Sequence, residues 1–161
     1  MLLMRHGKSS YPPEVADHDR PLAPRGIREA GLAGDWLRAS MPPIDAVLCS
    51  TATRARQTLA KTGVDATVRY SERLYDATLG TMIDEINTVD DTVSTLLVVG
   101  HEPTMSALAI GLAGTDGTDA AVVERISEKF PTSAIAVLTV AGEWKSVELT
   151  GAALIGFRVP R

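Results

Sequence analysis

Apolar positions along this chain fall into two rhythms, short unbroken runs and longer stretches with helical spacing. Residues 1–4 form an apolar run that breaks at Arg5-His6-Gly7, the pattern of a buried central strand opening into a loop. The segment 8–24 carries Pro12, Pro13, Pro21 and Pro24 among polar residues and reads as a surface loop. Pro24 suits the first position of a helix, and Ile27, Ala30, Gly34 and Leu37 then recur at helical spacing until Met41-Pro42-Pro43. Residues 46–49 predict a second buried strand, followed by a helix over 52–62 with Ser50 or Thr51 as its cap and Gly63 as its stop. A short strand over 67–70 and a helix over about 79–89 follow, the latter with Met82, Ile83 and Ile86 on one side.

Residues 96–99 are the cleanest buried strand, and Gly100-His101-Glu102-Pro103 leads into a helix with Met105, Leu108, Ala109 and Leu112 as its stripe. Residues 111–119 read as loop. Runs at 134–140 and 144–149 flank Ala141-Gly142-Glu143 as a closing hairpin. Strands alternating with helices and ending in two antiparallel strands predict an α/β fold. It is a three-layer sandwich with a mostly parallel central sheet and helices on both faces.

Composition narrows the picture modestly. With 161 residues, 45% of them hydrophobic, and no linker or repeat, one domain over 1–161 is expected. The formal charge of −4 argues against nucleic acid or an anionic membrane as a general partner, while leaving room for a locally positive site. No signal-peptide apolar region fits ahead of Arg5, and no apolar run is long enough to span a bilayer, so a cytoplasmic protein is expected, with a monomer as the default because no association patch stands out. Cys49 is the only cysteine, which rules out an internal disulfide and a Cys-rich zinc site.

The candidate chemistry lies at the predicted strand ends, where ligands bind in parallel α/β sheets. Arg5 and His6 follow the first strand, Arg54 the second, and His101 the fourth. Arg54 stands in the first turn of its helix, where the dipole disfavours a cation by up to about 1 kcal/mol unless an anion binds there too. Two guanidiniums and two imidazoles at one locus suit a phosphoryl group. Neutral His6 is the expected nucleophile; Arg5, Arg54 and protonated His101 are expected to hold the phosphate oxygens, with Gly7 letting the chain pass close by. Gly7-Lys8-Ser9 is not a Walker A end, because Leu2 stands where that motif needs glycine. Cys49 and Arg54 are one residue too close for a cysteine phosphatase, so Cys49 reads as a buried strand residue. His18 reads as a solvated loop residue.

Taken together these segments resemble the histidine phosphatase superfamily, with its phosphoglycerate mutase-like fold. Arg5-His6-Gly7 matches R-H-G. Asp19-Arg20-Pro21-Leu22 with Arg25-Gly26 matches D-x-P-L-x-x-x-G, Ser50 with Arg54-Ala55 and Gln57-Thr58 matches S-x-x-x-R-A-x-Q-T, and Gly100-His101 with Pro103 matches the second-histidine motif. The short chain and Lys129-Phe130-Pro131-Thr132-Ser133-Ala134 look most similar to the SixA phosphohistidine phosphatase branch. The resemblance implies phosphorylation of His6, a pocket of Arg5, Arg54 and His101, no metal and no cofactor. Its implied substrate is a phosphorylated protein or a small phosphorylated molecule. Glu72-Arg73-Leu74-Tyr75 resembles the stretch that carries the leaving-group acid in related mutases, making Glu72 the candidate acid. Pro12, six residues after His6, departs from the asparagine of sugar-phosphate enzymes. Thr132 and Ser133 are read first as a turn, with an approach to the phosphate as the second reading. The alternatives are a small-molecule phosphomonoesterase and a non-catalytic phospho-ligand binding module.

Overall fold

The computed structural model describes all 161 residues. Its six-stranded sheet runs in the order β3-β2-β4-β1-β5-β6. Here β1 is Leu2–Arg5, β2 Ala46–Ser50, β3 Thr67–Ser71, β4 Leu96–Gly100, β5 Ile135–Val140 and β6 Ala152–Arg158. The first four strands pair parallel, while β5 runs antiparallel to β1 and to β6. Parallel central strands buried on both faces need apolar residues at every position, and all five residues of β4 are buried.

Successive strand residues point to opposite faces, which splits the core in two. Leu2, Met4, Val47, Cys49, Leu97 and Val99 pack with α1 (Pro24–Ser40) and α2 (Thr53–Thr62). Leu3, Leu48 and Val98 pack with α3 (Leu79–Asn87), α4 (Thr104–Leu112) and α5 (Ala120–Glu128). This is the expected three-layer α/β sandwich of mostly parallel strands. No helix is long and apolar enough to cross a membrane.

Four details differ from the sequence reading. Ile27 is 43% exposed, because the buried stripe of α1 runs through Gly26, Ala30, Ala33 and Gly34 to Leu37, with Glu29 also buried. The small residues of the stripe let α1 lie against α2 so closely that a Cβ on Gly34 would stand 2.0 Å from the Thr62 carbonyl oxygen. The segment 144–149 is not a strand: its backbone makes a 3-10 turn, Trp144–Ser146, and the closing strand is β6. The Asn87 amide binds the carbonyls of Trp144 (2.8 Å) and Val147 (3.0 Å), and the buried Trp144 indole donates to the Val93 carbonyl, so this stretch is held to α3 rather than to a ladder. The helix α5, capped by Asp119, occupies residues that carried no assignment. Finally, Ala52 rather than Ser50 or Thr51 precedes the first turn of α2; the Ser50 hydroxyl accepts the Ala52 N–H at 3.2 Å.

Candidate active site

Three parallel strands end side by side, with Arg5 of β1 in register with Gly100 of β4, and Cys49 of β2 with Val99. Their exits bring His6, Ser50 and His101 together, and α2 brings Arg54 to the same place. The His6 and His101 rings lie 5.1 Å apart. Arg54 Nε donates to His6 Nε2 at 3.4 Å. Sequence reasoning thus picked residues that meet in space.

The protonation of His6 follows from its neighbours. Its Nδ1 lies 2.7 Å from the Gly7 carbonyl oxygen, which can only accept, so Nδ1 carries the proton and Nε2 presents a lone pair. His6 is 8% exposed. Burial lowers its pKa to about 3; the Gly7 carbonyl opposes that fall, while His101, Arg54 and Arg5 add to it. The ring is neutral across the ordinary pH range.

His101 is neutral too, unlike the protonated form expected from the sequence. Burial, then Arg54, lowers its pKa to about 4, against the opposing charge of Asp17. Its Nε2 lies 2.8 Å from the Ser50 hydroxyl, which accepts from Ala52 and has no other acceptor for its own proton, so it donates to Nε2. His101 Nδ1 is then the N–H, and it is buried with no partner. Arg5 repeats the pattern: Nη1 donates to the Phe130 carbonyl at 2.9 Å, and the buried Nε has no partner. Unpartnered buried donors are costly, and two of them on residues whose charge is felt at His6 mark a place for an anion.

The second-strand motif also serves as scaffold. Thr58 Oγ1 accepts the Gly7 N–H at 2.8 Å and donates to the Arg54 carbonyl at 2.6 Å. Gln57 accepts the Leu22 N–H at 2.8 Å, tying the proline-rich loop to α2. Gly7 owes its lack of a side chain to α1, since a Cβ there would lie 3.0 Å from the Gly26 carbonyl oxygen; its amide, spent on Thr58, is not offered to a ligand. Ser133 is more than a turn residue. At φ 65° it donates its N–H to the carbonyls of Arg5 and His6, and its buried hydroxyl has no partner.

Asp17 and Tyr75 are the residues the sequence reading missed. A 3-10 turn, Asp17–Asp19, aims both the carbonyl and the carboxylate of Asp17 at Arg54: Nη1 donates to the carbonyl at 2.6 Å and Nη2 to Oδ2 at 3.0 Å. Arg20 Nε donates to Oδ1 at 3.0 Å, and the Tyr75 hydroxyl donates to Oδ2. These donors, Tyr75 first and then Arg20 and Arg54, hold the carboxyl well below the usual carboxylate range. Tyr75 meets His101 edge-on, with ring centroids 5.4 Å apart. His18 is not freely solvated: its ring meets Tyr75 at 4.8 Å, and Nε2 lies 2.9 Å from Thr51 Oγ1. Glu72 is exposed and makes no hydrogen bond or ion pair with His6, His101, Arg54 or Asp17. A cavity of about 630 Å³ opens elsewhere and is lined by residues such as Met1, Thr95 and Trp144. No group of three or more His, Cys, Asp or Glu side chains is arranged to hold a metal ion.

A doubly covered α/β sheet with histidine and arginine at adjoining strand ends defines a phosphoryl-handling class of protein. Residues 1–92 match the histidine phosphatase superfamily (branch 1). An uncharacterized protein of Mycobacterium tuberculosis is 75% identical over 158 residues, covering 98% of this chain and 100% of that protein. A structure described as a candidate phosphohistidine phosphatase SixA, from Nakamurella multipartitia, superposes with TM-score 0.89 at 38% identity, covering 99% of this chain and 95% of that one. The protein histidine phosphatase SixA complexed with tungstate gives TM-score 0.79 at 25% identity, with 99% and 96% covered. The chain belongs to the histidine phosphatase superfamily, in its SixA-type branch.

Proposed function

We propose that this protein hydrolyses phosphohistidine on a protein substrate through a phosphoryl intermediate on His6, without a metal. The observation that carries this reading is the His6 imidazole: its proton is fixed on Nδ1 by the Gly7 carbonyl, and its Nε2 lone pair faces Arg54 Nε at 3.4 Å. In-line attack of Nε2 on phosphorus forms the new P–N bond while the bond to the leaving group breaks. Arg54 Nε, Arg5 Nε and His101 Nδ1–H are the donors for the phosphoryl oxygens, and each such donor is typically worth about 10²- to 10³-fold in rate. The arriving dianion favours a proton on His101, reversing the balance set by burial and Arg54. Water then attacks phospho-His6, and the P–N electron pair returns to Nε2, restoring the starting ring with its proton still on Nδ1. The tetrahedral oxyanion tungstate bound to a SixA relative supports an oxyanion site in this branch. Glu72, exposed and apart from this network, is kept as the acid for phosphoester substrates only.

Incubation with a phosphohistidine peptide in the presence of EDTA tests the reading. Wild type is expected to release phosphate and to carry a transient label that is stable in alkali and lost in acid, as phosphohistidine is. His6→Ala should fold, as judged by its urea transition at pH 7, and neither turn over nor label. Turnover by His6→Ala, or wild type that binds phosphate and hydrolyses nothing, would remove His6 from the role of nucleophile.

A further inference from the structure

We propose that the Asp17 carboxylate selects the leaving group, accepting the distal N–H of a phosphorylated imidazole so that the site favours phosphoramidates over phosphoesters. This rests on the phospho-His6 reading above. Asp17 holds the Nη edge of Arg54, while Nε of the same guanidinium faces the nucleophile, so the carboxylate stands one guanidinium away from the point of attack. His6 is buried, and the leaving group must depart on the side of phosphorus opposite Nε2, toward the open rim. The Asp17 side chain is 55% exposed, so its carboxylate is open to the solvent side of the site.

Around Asp17 stand Arg20 from its own loop, Arg54 from α2, Tyr75 from beyond β3, His18 against Tyr75, and His101 from the end of β4, with Asp19 of the same turn 3.5 Å from His18 Nδ1. Surrounded in this way, Asp17 has no proton to give, and the Tyr75 hydroxyl proton is already spent on it. An alkoxide leaving group would find no acid in this network. An N-phosphorylated imidazole protonated on its other nitrogen needs none. As His6 Nε2 forms its bond to phosphorus, the substrate P–N bond breaks and its electron pair returns to the departing nitrogen. The product is a neutral imidazole whose single proton is the N–H that Asp17 accepts. No proton changes hands and no co-reactant is required. Oδ2 already accepts from Arg54 and Tyr75, whereas Oδ1 accepts only from Arg20 and has a second lone pair for this bond. The negative charge also favours the protonated, reactive form of the substrate ring.

The full chain is assayed as wild type, Asp17→Asn and Asp17→Glu, with a phosphohistidine peptide and an aryl phosphate, between pH 5.5 and 9. A charge-assisted hydrogen bond predicts that Asp17→Asn lowers kcat/KM on the peptide about tenfold or more beyond its effect on the aryl phosphate. The alkaline limb of the peptide profile should also move to lower pH, and Asp17→Glu should recover part of the selectivity. Equal losses on both substrates with an unmoved alkaline limb would reduce Asp17 to a positioning residue for Arg54 and overturn the proposal. Wild type that hydrolyses the aryl phosphate but not the peptide would overturn the functional reading as well, which separates the two failures.

Discussion

Lowering the pH from 7 to 5 should strip stability from this protein through His6 and His101, by an amount that follows from their burial. Both rings are held neutral in the fold, with pKa values near 3 and 4 against 6.5 for a free histidine. Below 6.5 the unfolded chain takes up two protons that the folded chain refuses. The stability contributed by these neutral rings is therefore complete above about pH 6.5 and is lost as the pH falls through 6.5 toward 4. At pH 5, one and a half units below the unfolded pKa, linkage gives about 2 kcal/mol for each ring, and this figure hardly depends on how far below 5 the folded values lie. Together they remove about 4 kcal/mol from a net stability that for most domains is about 5–15 kcal/mol.

Urea titrations at pH 7 and pH 5 in a phosphate- and sulfate-free buffer measure the effect. With a slope of about 2 kcal/mol per molar, the pair should move the midpoint by about 2 M. His6→Asn should remove about half of that histidine share. The Met1 ammonium, whose pKa burial lowers to about 6, adds the same slope to wild type and variant and cancels in the comparison. A wild-type midpoint that is the same at both pH values would refute the reasoning. So would a His6→Asn variant with an undiminished slope.

Gly26→Ala should cost about 3 kcal/mol and most of the activity, because its Cβ would stand 2.1 Å from the Lys8 carbonyl oxygen and push apart the segment that follows His6; urea midpoints and aryl phosphate turnover check both. Arg54→Lys should lose about 100-fold in kcat/KM despite keeping the charge, since one ammonium cannot serve both His6 and the two oxygens of Asp17; loss of less than tenfold would place Arg54 outside the pocket. Cys49, buried and with its thiol pushed up to about 12, should resist alkylation in the native state at pH 8 and react on unfolding, as mass spectrometry would report.

The sheet was legible because central strands and their helices follow strong local rules. The run 96–99 is apolar at every position, as a strand covered on both faces must be, and it lies at the middle of the sheet. The chain end was harder. Trp144-Lys145-Ser146-Val147-Glu148-Leu149 follows a hairpin-like turn with apolar residues set among polar ones, yet the partners that decide its course are the Asn87 amide and the Val93 carbonyl, which lie far away in sequence. Ile27 misled for a related reason. Helical spacing finds a face, but the close approach of α1 to α2 rotates the buried stripe toward glycine and alanine, which hydrophobicity weights too little.

The site divides along the same line. Arg5, His6, Arg54 and His101 stand at strand exits or in the first turn of a helix, so topology alone brings them together. Asp17 stands in a loop that also holds Glu14 and Asp19, and nothing in its own neighbourhood distinguishes it from them. What did point to it, indirectly, was Arg54: a buried cation in the first turn of a helix requires an anion, and the sequence reading supplied only the substrate. In the structure the chain itself supplies an anion, Asp17, on the Nη edge, while Nε stays aimed at His6. A planar guanidinium can hold a fixed carboxylate and a transient phosphoryl group on different edges at once. That divided use explains why an arginine, rather than a lysine, stands where the helix dipole opposes either.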